Sequence, residues 1–423
     1  MAPRLHHLPL EIIDLILNEI SSEDLLCIRQ TCKELHARAA PRFACDYFQT
    51  RRVMFERRSL DTLADISKHH TLGRSVHTLE VCVYHLLPLE ELEEIEPPFS
   101  EYEEMMKGVA SGSGGTKSAD TISSSPHDRY HRLSQLHKEA YLTHLEDQDQ
   151  LIRAQYALEC LTQAMTRLTQ CNRIVIDDSN RPWGLDRLKR MIGVLPQRTL
   201  TFASTTSIEL IRHILSAVLT AVVASKLDVE DLEISIGCLM QNANRISPHM
   251  LPSLPSPIIS LRSLRLVLDP GLPKFASTLP WGSSLIRFVR LFPELSEFSL
   301  EFEDRDDFDR FAGFAAMLDI PKLEALTLYL IDCTGEQLAD LLLHHKKTLR
   351  EISFDGINLT DGAESWHSLI KEIREGLDIT YFSMNGSMVG DIDVQGRERL
   401  EATDAQGLTD IIATLSVANR QTV

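Results

Sequence analysis

Apolar residues recur in the pattern apolar-x-x-apolar-x-apolar along much of the chain, most regularly after residue 171. Such a run is typical of a short strand that buries alternate side chains. With 43% apolar residues in the chain, chance alone gives roughly 34 such triplets, so their context must identify the real strands. The triplets interpreted as strands are Val76-Leu79-Val81, Cys171-Ile174-Ile176, Val229-Leu232-Ile234, Leu261-Leu264-Leu266, Leu295-Phe298-Leu300, Leu323-Leu326-Leu328 and Leu349-Ile352-Phe354.

Helix-like segments separate the last four of these strands, whose central residues are 34, 28 and 26 positions apart. Between the second and third of these four strands, Phe311, Phe314 and Leu318 form one apolar stripe. Between the third and fourth, Thr334 and Gln337 have the spacing of a capping box. The alternation of strand and helix predicts an α/β fold.

Strand, helix and strand at a repeat of about 20–29 residues is leucine-rich-repeat organisation. The spacings here are longer and less regular than that range, so the sequence predicts an irregular leucine-rich-repeat-like solenoid, with parallel strands on one face and helices on the other. A compact parallel α/β sheet without solenoid curvature has the same alternation and stays an alternative.

Strand residues between the buried positions of a leucine-rich repeat face the concave side. On the last four strands these positions hold four acids and one arginine, which predicts a target protein with a basic segment. The expected target-binding residues are Arg265, Glu297, Glu301, Tyr329, Glu351 and Asp355.

Residues 8–40 have a different pattern, that of three short amphipathic helices. In the first, Ile12, Ile13 and Ile16 recur at helical spacing. Ser21 and Asp24 then have the spacing of a capping motif that starts the second helix. Pro41 is expected to end the third helix. Helical units of about 40 residues rarely stand alone, so apolar surface left exposed here predicts a partner.

The segment between these two regions is mixed. We expect a helical connector over 42–75, a disordered loop over 97–128 that is acidic and then Gly/Ser-rich, and one long helix over 131–169. The predicted organisation is therefore 1–45 (the three helices), 46–96 (connector and first repeat-like strand), 97–128 (loop) and 129–423 (repeat-like domain).

Charge and cysteine content narrow the function classes. A net charge of −18 makes nucleic acid and anionic membranes poor partners. The eight cysteines include no CxxC pair, which indicates reduced thiols in the cytoplasm or nucleus. The apolar run 214–224 is short of the ~20 residues that span a bilayer, so we expect a buried helix. No motif predicts a catalytic site, a metal or a cofactor.

The stretch LPLEIIDLILNEISSEDLLCIRQTCKEL at residues 8–35 resembles the F-box motif. The resemblance rests on Leu8-Pro9, the acidic-apolar helix of residues 11–20, the Ser-x-x-Asp-Leu turn at 21–25, and a following apolar stripe. It implies binding to the Skp-type adaptor of a cullin–RING ubiquitin ligase. The implied adaptor-binding residues are Leu8, Pro9, Ile12, Ile13, Ile16, Leu25, Leu26 and Cys32. Some of these are expected to face each other or the repeat domain instead.

The remainder resembles the irregular leucine-rich regions that follow F-boxes in many fungal proteins. Together the two resemblances imply a non-enzymatic substrate receptor of an SCF-type ligase, which joins the adaptor and cullin scaffold to a target protein. Two alternatives stay open: an F-box scaffold that ubiquitylates nothing, and an α/β enzyme without a recognisable motif.

Overall fold

The computed structural model describes residues 8–94, 135–237, 244–269, 281–302, 310–362, 365–389, 392–393 and 399–421. The predicted loop at 97–128 lies outside these residues.

The helices of the described residues fall into an N-terminal group of three and a series that alternates with strands. Ser21 caps the second helix because its hydroxyl accepts the Asp24 N–H at 3.1 Å. The helices are α1 (Leu10–Glu19), α2 (Ser22–Thr31), α3 (Lys33–Phe48), α4 (Arg57–Lys68), α5 (Leu89–Glu94), α6 (Lys138–Arg153), α7 (Tyr156–Met165), α8 (Leu185–Ile192), α9 (Thr205–Ser225), α10 (Trp281–Val289), α11 (Arg310–Ala315), α12 (Gly335–His344), α13 (Ser365–Gly376) and α14 (Ala405–Gln421).

The strands form one large sheet and one small sheet. They are β1 (Thr50–Met54), β2 (Thr78–Cys82), β3 (Arg173–Asp177), β4 (Asp231–Ser235), β5 (Ser263–Leu268), β6 (Glu297–Phe302), β7 (Ala325–Tyr329), β8 (Asp332–Cys333), β9 (Glu351–Asp355), β10 (Asn358–Leu359), β11 (Tyr381–Asn385), β12 (Met388–Val389), β13 (Ile392–Asp393) and β14 (Leu400–Ala402).

The large sheet has ten strands in the order β1-β2-β3-β4-β5-β6-β7-β9-β11-β14. Its first nine strands are parallel and lie side by side in chain order, and β14 pairs antiparallel with β11. The small sheet has the order β13-β12-β10-β8. The α/β class and the parallel sheet are therefore confirmed.

One face of the large sheet packs on helices. Leu264, Phe298, Leu326 and Ile352 occupy equivalent positions on adjacent strands and are buried in a core that continues from Phe48 to Leu415. The opposite face of β4, β5, β6, β7 and β9 carries half-buried and exposed side chains, apart from the buried Val267 of β5. We call it the open face.

The predicted helical connector over 42–75 is wrong in part, because it contains β1. Val53 of β1 is buried on the helix-covered side, and β1 pairs in parallel with β2. The run TRRVM has only two apolar residues, so strand pairing rather than periodicity decided its conformation.

Two further helix predictions were wrong in part: the end of the third N-terminal helix at Pro41, and the single long helix over 131–169. α3 continues through Pro41 to Phe48, because the packing of Ala44 and Phe48 offsets the hydrogen bond that proline removes. The helix predicted over 131–169 is two helices within the described residues. Gln155 adopts a left-handed conformation (φ 53°) between them, which lets α7 turn onto α4 and α9.

Among the described residues, only α9 is long and apolar enough to cross a membrane by length and composition, and most of its apolar window (56%) is buried inside the protein. Ile214, Leu215 and Val218 lie in the core. The prediction of a buried helix is confirmed.

Candidate partner-binding surfaces

The three N-terminal helices form a small unit with its own core. Ile13 and Leu17 of α1, Leu25 of α2 and Ala39 of α3 pack together there. The Tyr47 hydroxyl donates to the carbonyl of Ser22 at 2.8 Å, and the Arg38 guanidinium donates to the carbonyl of Leu8 at 2.8 Å. These bonds hold both other helices on α3.

Large apolar side chains remain on the outside of this unit. Ile12 is 43% exposed, Leu15 is 62% exposed and Leu26 is 36% exposed. A monomeric protein rarely leaves several such side chains uncovered on one small unit. Leu15 was missed by sequence reasoning, although it follows Ile12 at i+3 and therefore lies on the same side of α1.

The eight residues implied by the F-box resemblance divide by exposure. Ile13 and Leu25 are buried in the three-helix core, so in this conformation they support the unit and are not accessible to a partner. The other six are partly or fully exposed: Leu8, Pro9, Ile12, Ile16, Leu26 and Cys32.

Aromatic contacts join the three-helix unit to the sheet. Phe43 packs on Tyr47 and Phe48, and Phe48 meets Trp183 edge-on with ring centroids 5.4 Å apart. The Arg51 guanidinium lies 4.1 Å from the Trp183 ring centroid. Burial lowers the pKa of Arg51 to about 10, which leaves it charged at neutral pH, so this cation–π contact persists. The unit is thereby fixed beside β1.

The open face collects all six residues predicted to contact a target. In one row across the strands, Glu297, Ala325 and Glu351 are neighbours. In another row Glu301, Tyr329 and Asp355 are neighbours. Arg265 lies on β5, between these rows and opposite Ser299. Only Arg265, Glu297 and Glu351 are exposed, and the other three are half-buried.

Ion pairs distinguish the four acids. Glu301 pairs with Arg265 and with Arg245, each at 3.4 Å, and Asp355 accepts a hydrogen bond from Asn385 at 3.1 Å. Within the part of the chain that the structure describes, Glu297 and Glu351 make no ion pair. These two carboxylates are therefore the most available to a cationic group.

A buried serine–histidine contact lies between the strand region and α9. His85 Nε2 is 2.9 Å from Ser207 Oγ, and its Nδ1 is 2.8 Å from the carbonyl oxygen of Val83. Neither side chain is accessible to solvent, and burial lowers the pKa of His85 to about 4. Because a substrate cannot reach it, this pair acts as a structural link.

Asp319, His344 and His345 lie close enough together for a metal ion, but their hydrogen bonds argue against it. His345 Nε2 accepts the N–H of Ile320 at 3.1 Å, and its Nδ1 lies 2.9 Å from the carbonyl of Leu341. Both ring nitrogens are thus occupied, which leaves too few ligands.

No protein-family model matches this chain, and no curated protein sequence matches it. The F-box resemblance is carried by residues 8–35 alone.

Proposed function

We propose that this protein is the substrate receptor of an SCF-type cullin–RING ubiquitin ligase, working in the cytoplasm or nucleus. The observation that carries the proposal is the apolar side chains left exposed on a three-helix unit with an F-box-like sequence. The chain would bind a Skp-type adaptor with α1 and α2 and a target protein with the open face. It would raise the local concentration of the target, while other subunits supply the chemistry.

The exposed side chains suit an adaptor with an apolar groove that can receive one side of a helix. Ile12, Leu15 and Ile16 occupy adjacent positions on α1, so a partner can cover them together. The buried Ile13 and Leu25 keep α1 and α2 at a fixed angle, so little conformational entropy is lost on binding.

The repeat-like part is proposed to be an irregular leucine-rich-repeat solenoid. Its support is the chain-order sequence of parallel strands, which differs from the reversed order of a doubly wound sheet. The apolar pattern also continues past β7 and β9 to Cys333 and Leu359. These two residues pair in a second short ladder formed by β8 and β10, as in the longer leucine-rich-repeat signature.

A basic segment is the proposed feature of the target. Glu297 and Glu351 flank the small Ala325, and each strand is about 4.8 Å from the next, so their carboxylates bracket a space that fits a lysine or arginine side chain. Two available acids on a chain of net charge −18 would also accelerate association with a cationic partner.

The adaptor proposal is tested by co-purification of the full chain with a Skp-type adaptor. The double variant Ile12→Asp/Leu26→Asp places charge on exposed positions, so the fold is expected to survive while adaptor recovery falls at least about 10-fold, or ~1.4 kcal/mol. The matched control is Leu142→Asp/Met191→Asp, which alters similarly exposed apolar side chains on α6 and α8. Equal recovery of the adaptor by all three proteins would refute the proposal.

Recovery of the cullin with the chain distinguishes a ligase receptor from the alternative, an F-box scaffold that ubiquitylates nothing. A receptor is expected to bring the cullin together with the adaptor and to accumulate its target when the proteasome is inhibited. Recovery of the adaptor without the cullin would favour the scaffold.

Targets can be collected by proximity labelling with and without proteasome inhibition, and the open face can then be tested on them. Glu297→Arg/Glu351→Arg is expected to reduce target binding, and added salt is expected to weaken binding by the unaltered chain. The control, Glu336→Arg/Glu372→Arg, makes the same charge change on α12 and α13. Equal target binding by both variants and the unaltered chain would exclude the open face.

A further inference from the structure

Three potential metal ligands meet on adjacent strands at the other end of the large sheet. β2 and β3 are parallel, and Cys82 lies directly opposite Asp177, with Glu80 two residues earlier on β2. All three share one face, because the intervening Val81 and Ile176 lie in the helix-covered core. Each offers one ligand atom, and these atoms all lie within 4.8 Å of one another.

The three side chains are almost completely buried. Glu80 is 4% exposed, Cys82 is 0% exposed and Asp177 is 4% exposed. The second carboxylate oxygen of Asp177 accepts a hydrogen bond from Ser179, but Oδ1 is buried and has no hydrogen-bond partner. Leaving a buried carboxylate oxygen unpaired is costly in free energy, so its position among two other ligands requires an explanation.

Nearby charged side chains pair with only part of the cluster formed by Glu80, Cys82 and Asp177. Arg52 Nε lies 3.1 and 3.2 Å from the two Glu80 carboxylate oxygens. Asp178 adds a third buried carboxylate, which accepts the N–H of Gly237 at 3.0 Å and whose Oδ1 also lacks a partner. Arg198 donates to the backbone carbonyls of Asp178 and Ser179. None of these contacts reaches Asp177 Oδ1, which remains without a hydrogen-bond partner.

We propose that Glu80, Cys82 and Asp177 bind a divalent cation of the zinc type, with a fourth ligand from solvent. A thiolate with two carboxylates is a donor set that zinc accepts and that magnesium and calcium do not favour. With zinc bonds of about 2.3 Å to sulfur and 2.0 Å to oxygen, tetrahedral ligands lie about 3.5 Å apart. Cys82 Sγ lies 3.7 Å from Glu80 Oε1, so this pair needs almost no movement.

Binding would release the Cys82 proton. Burial, reinforced by Glu80 and Asp177, raises the pKa of the Cys82 thiol well above its usual range, so the metal-free thiol is protonated at neutral pH. The cation would replace that proton on sulfur, because a metal binds the thiolate and not the thiol. The ion would tie the ends of β2 and β3 together, a structural role independent of adaptor binding.

The test uses the full chain after treatment with a chelator and dialysis. Titration with Zn²⁺ in a calorimeter is expected to show one ion per chain and a higher melting temperature. Co²⁺ is expected to give the intense near-ultraviolet absorption of a cobalt–thiolate bond. Cys82→Ser and Asp177→Asn are each expected to weaken Zn²⁺ binding by more than about 100-fold. Loss of a residue that only hydrogen-bonds to a metal ligand already lowers metal affinity by about 10–100-fold.

Cys333→Ser is the matched control, because Cys333 is also buried in a strand but lies outside the cluster. It is expected to bind Zn²⁺ like the unaltered chain. X-ray absorption of the zinc-loaded unaltered chain, which requires no variant to fold, should show one sulfur ligand and otherwise oxygen. The proposal would be overturned by the absence of stoichiometric binding or by a coordination shell without sulfur. It would also be overturned if the Cys82 and Asp177 variants bound Zn²⁺ as tightly as the unaltered chain.

Discussion

At the scale of single residues, buried polar side chains tie loops to helices. The segment after β2 is held at Leu86 by the Gln148 amide, at Leu87 by the Tyr141 hydroxyl, and at His85 by Ser207. Each bond satisfies a backbone or ring group that burial would otherwise leave unpaired. Because His85 is kept neutral inside the protein, folding becomes sensitive to pH.

His85 should make the protein less stable in mild acid. Its folded pKa of about 4 lies below the ordinary value of about 6.5, so below pH 6.5 the unfolded chain binds a proton that the folded chain does not. The His85 contribution to stability is therefore expected to fall as pH drops from about 6.5 toward 4, with a slope of up to about 1.4 kcal/mol per pH unit. Burial raises the pKa of Asp177 to about 7, so Asp177 contributes with the opposite sign over much of this range. The His85 contribution is therefore the difference in slope between the unaltered chain and His85→Gln. Denaturant unfolding across this range measures the slope.

His85→Gln is expected to reduce this slope, and His77→Gln, at an exposed histidine, is expected to leave it unchanged. A residual slope should remain, because burial also lowers the pKa of His213 and of His345. An identical slope in His85→Gln and the unaltered chain would contradict the assignment.

At the scale of elements, local capping residues begin several helices. α12 has a complete capping box: the Thr334 hydroxyl accepts the Gln337 N–H at 3.2 Å, and the Gln337 side chain accepts the Thr334 N–H at 3.1 Å. Such a box satisfies two N–H groups that the helix cannot pair itself. α12 also buries Leu338 and Leu342 in the core of the large sheet, so its first turn affects the packing of that core.

Thr334→Ala is expected to lower the free energy of unfolding by about 1 kcal/mol, because the Gln337 N–H loses its acceptor. Gln337→Glu keeps a side-chain acceptor at the same position and is expected to have little effect. Chemical denaturation of the three proteins measures both changes. Equal loss of stability in both variants would show that the hydroxyl is not the stabilising group.

At the scale of the whole molecule, the large sheet needs protection at its last strand. β14 pairs antiparallel with β11, and α14 packs on both β14 and α13. An unpaired strand edge is a site for aggregation, so β14 and α14 protect the edge of β11. Leu408, Ile411 and Leu415 of α14 are buried in the core and fasten the cap to it.

Ile411→Asp is expected to destabilise the protein by more than about 2 kcal/mol, since it buries an unpaired charge. Exposure of the β11 edge should also promote aggregation. Ala413→Asp places the same charge on the exposed side of α14 and is expected to be tolerated. Thermal melts with light scattering measure both effects, and equal behaviour of the two variants would exclude the capping role.

Local patterns in the sequence determined many elements of this protein. Apolar alternation located β2, β3, β4, β5, β6, β7 and β9 because strands with one buried face impose a period of two. The caps at Ser21 and Thr334 were predictable because a hydroxyl three residues before a free N–H reaches it without help from the rest of the fold.

Only the tertiary structure decided which of these residues meet. Cys82 and Asp177 are 95 positions apart, and no spacing rule predicts contacts that arise from strand pairing across so long a connection. The same holds for the pairing of Glu301 with Arg245 and Arg265, which leaves Glu297 and Glu351 as the available acids. Periodicity also could not predict that Ile12 is exposed and its neighbour Ile13 is buried, because only the packing of the three helices decides which side chain is covered.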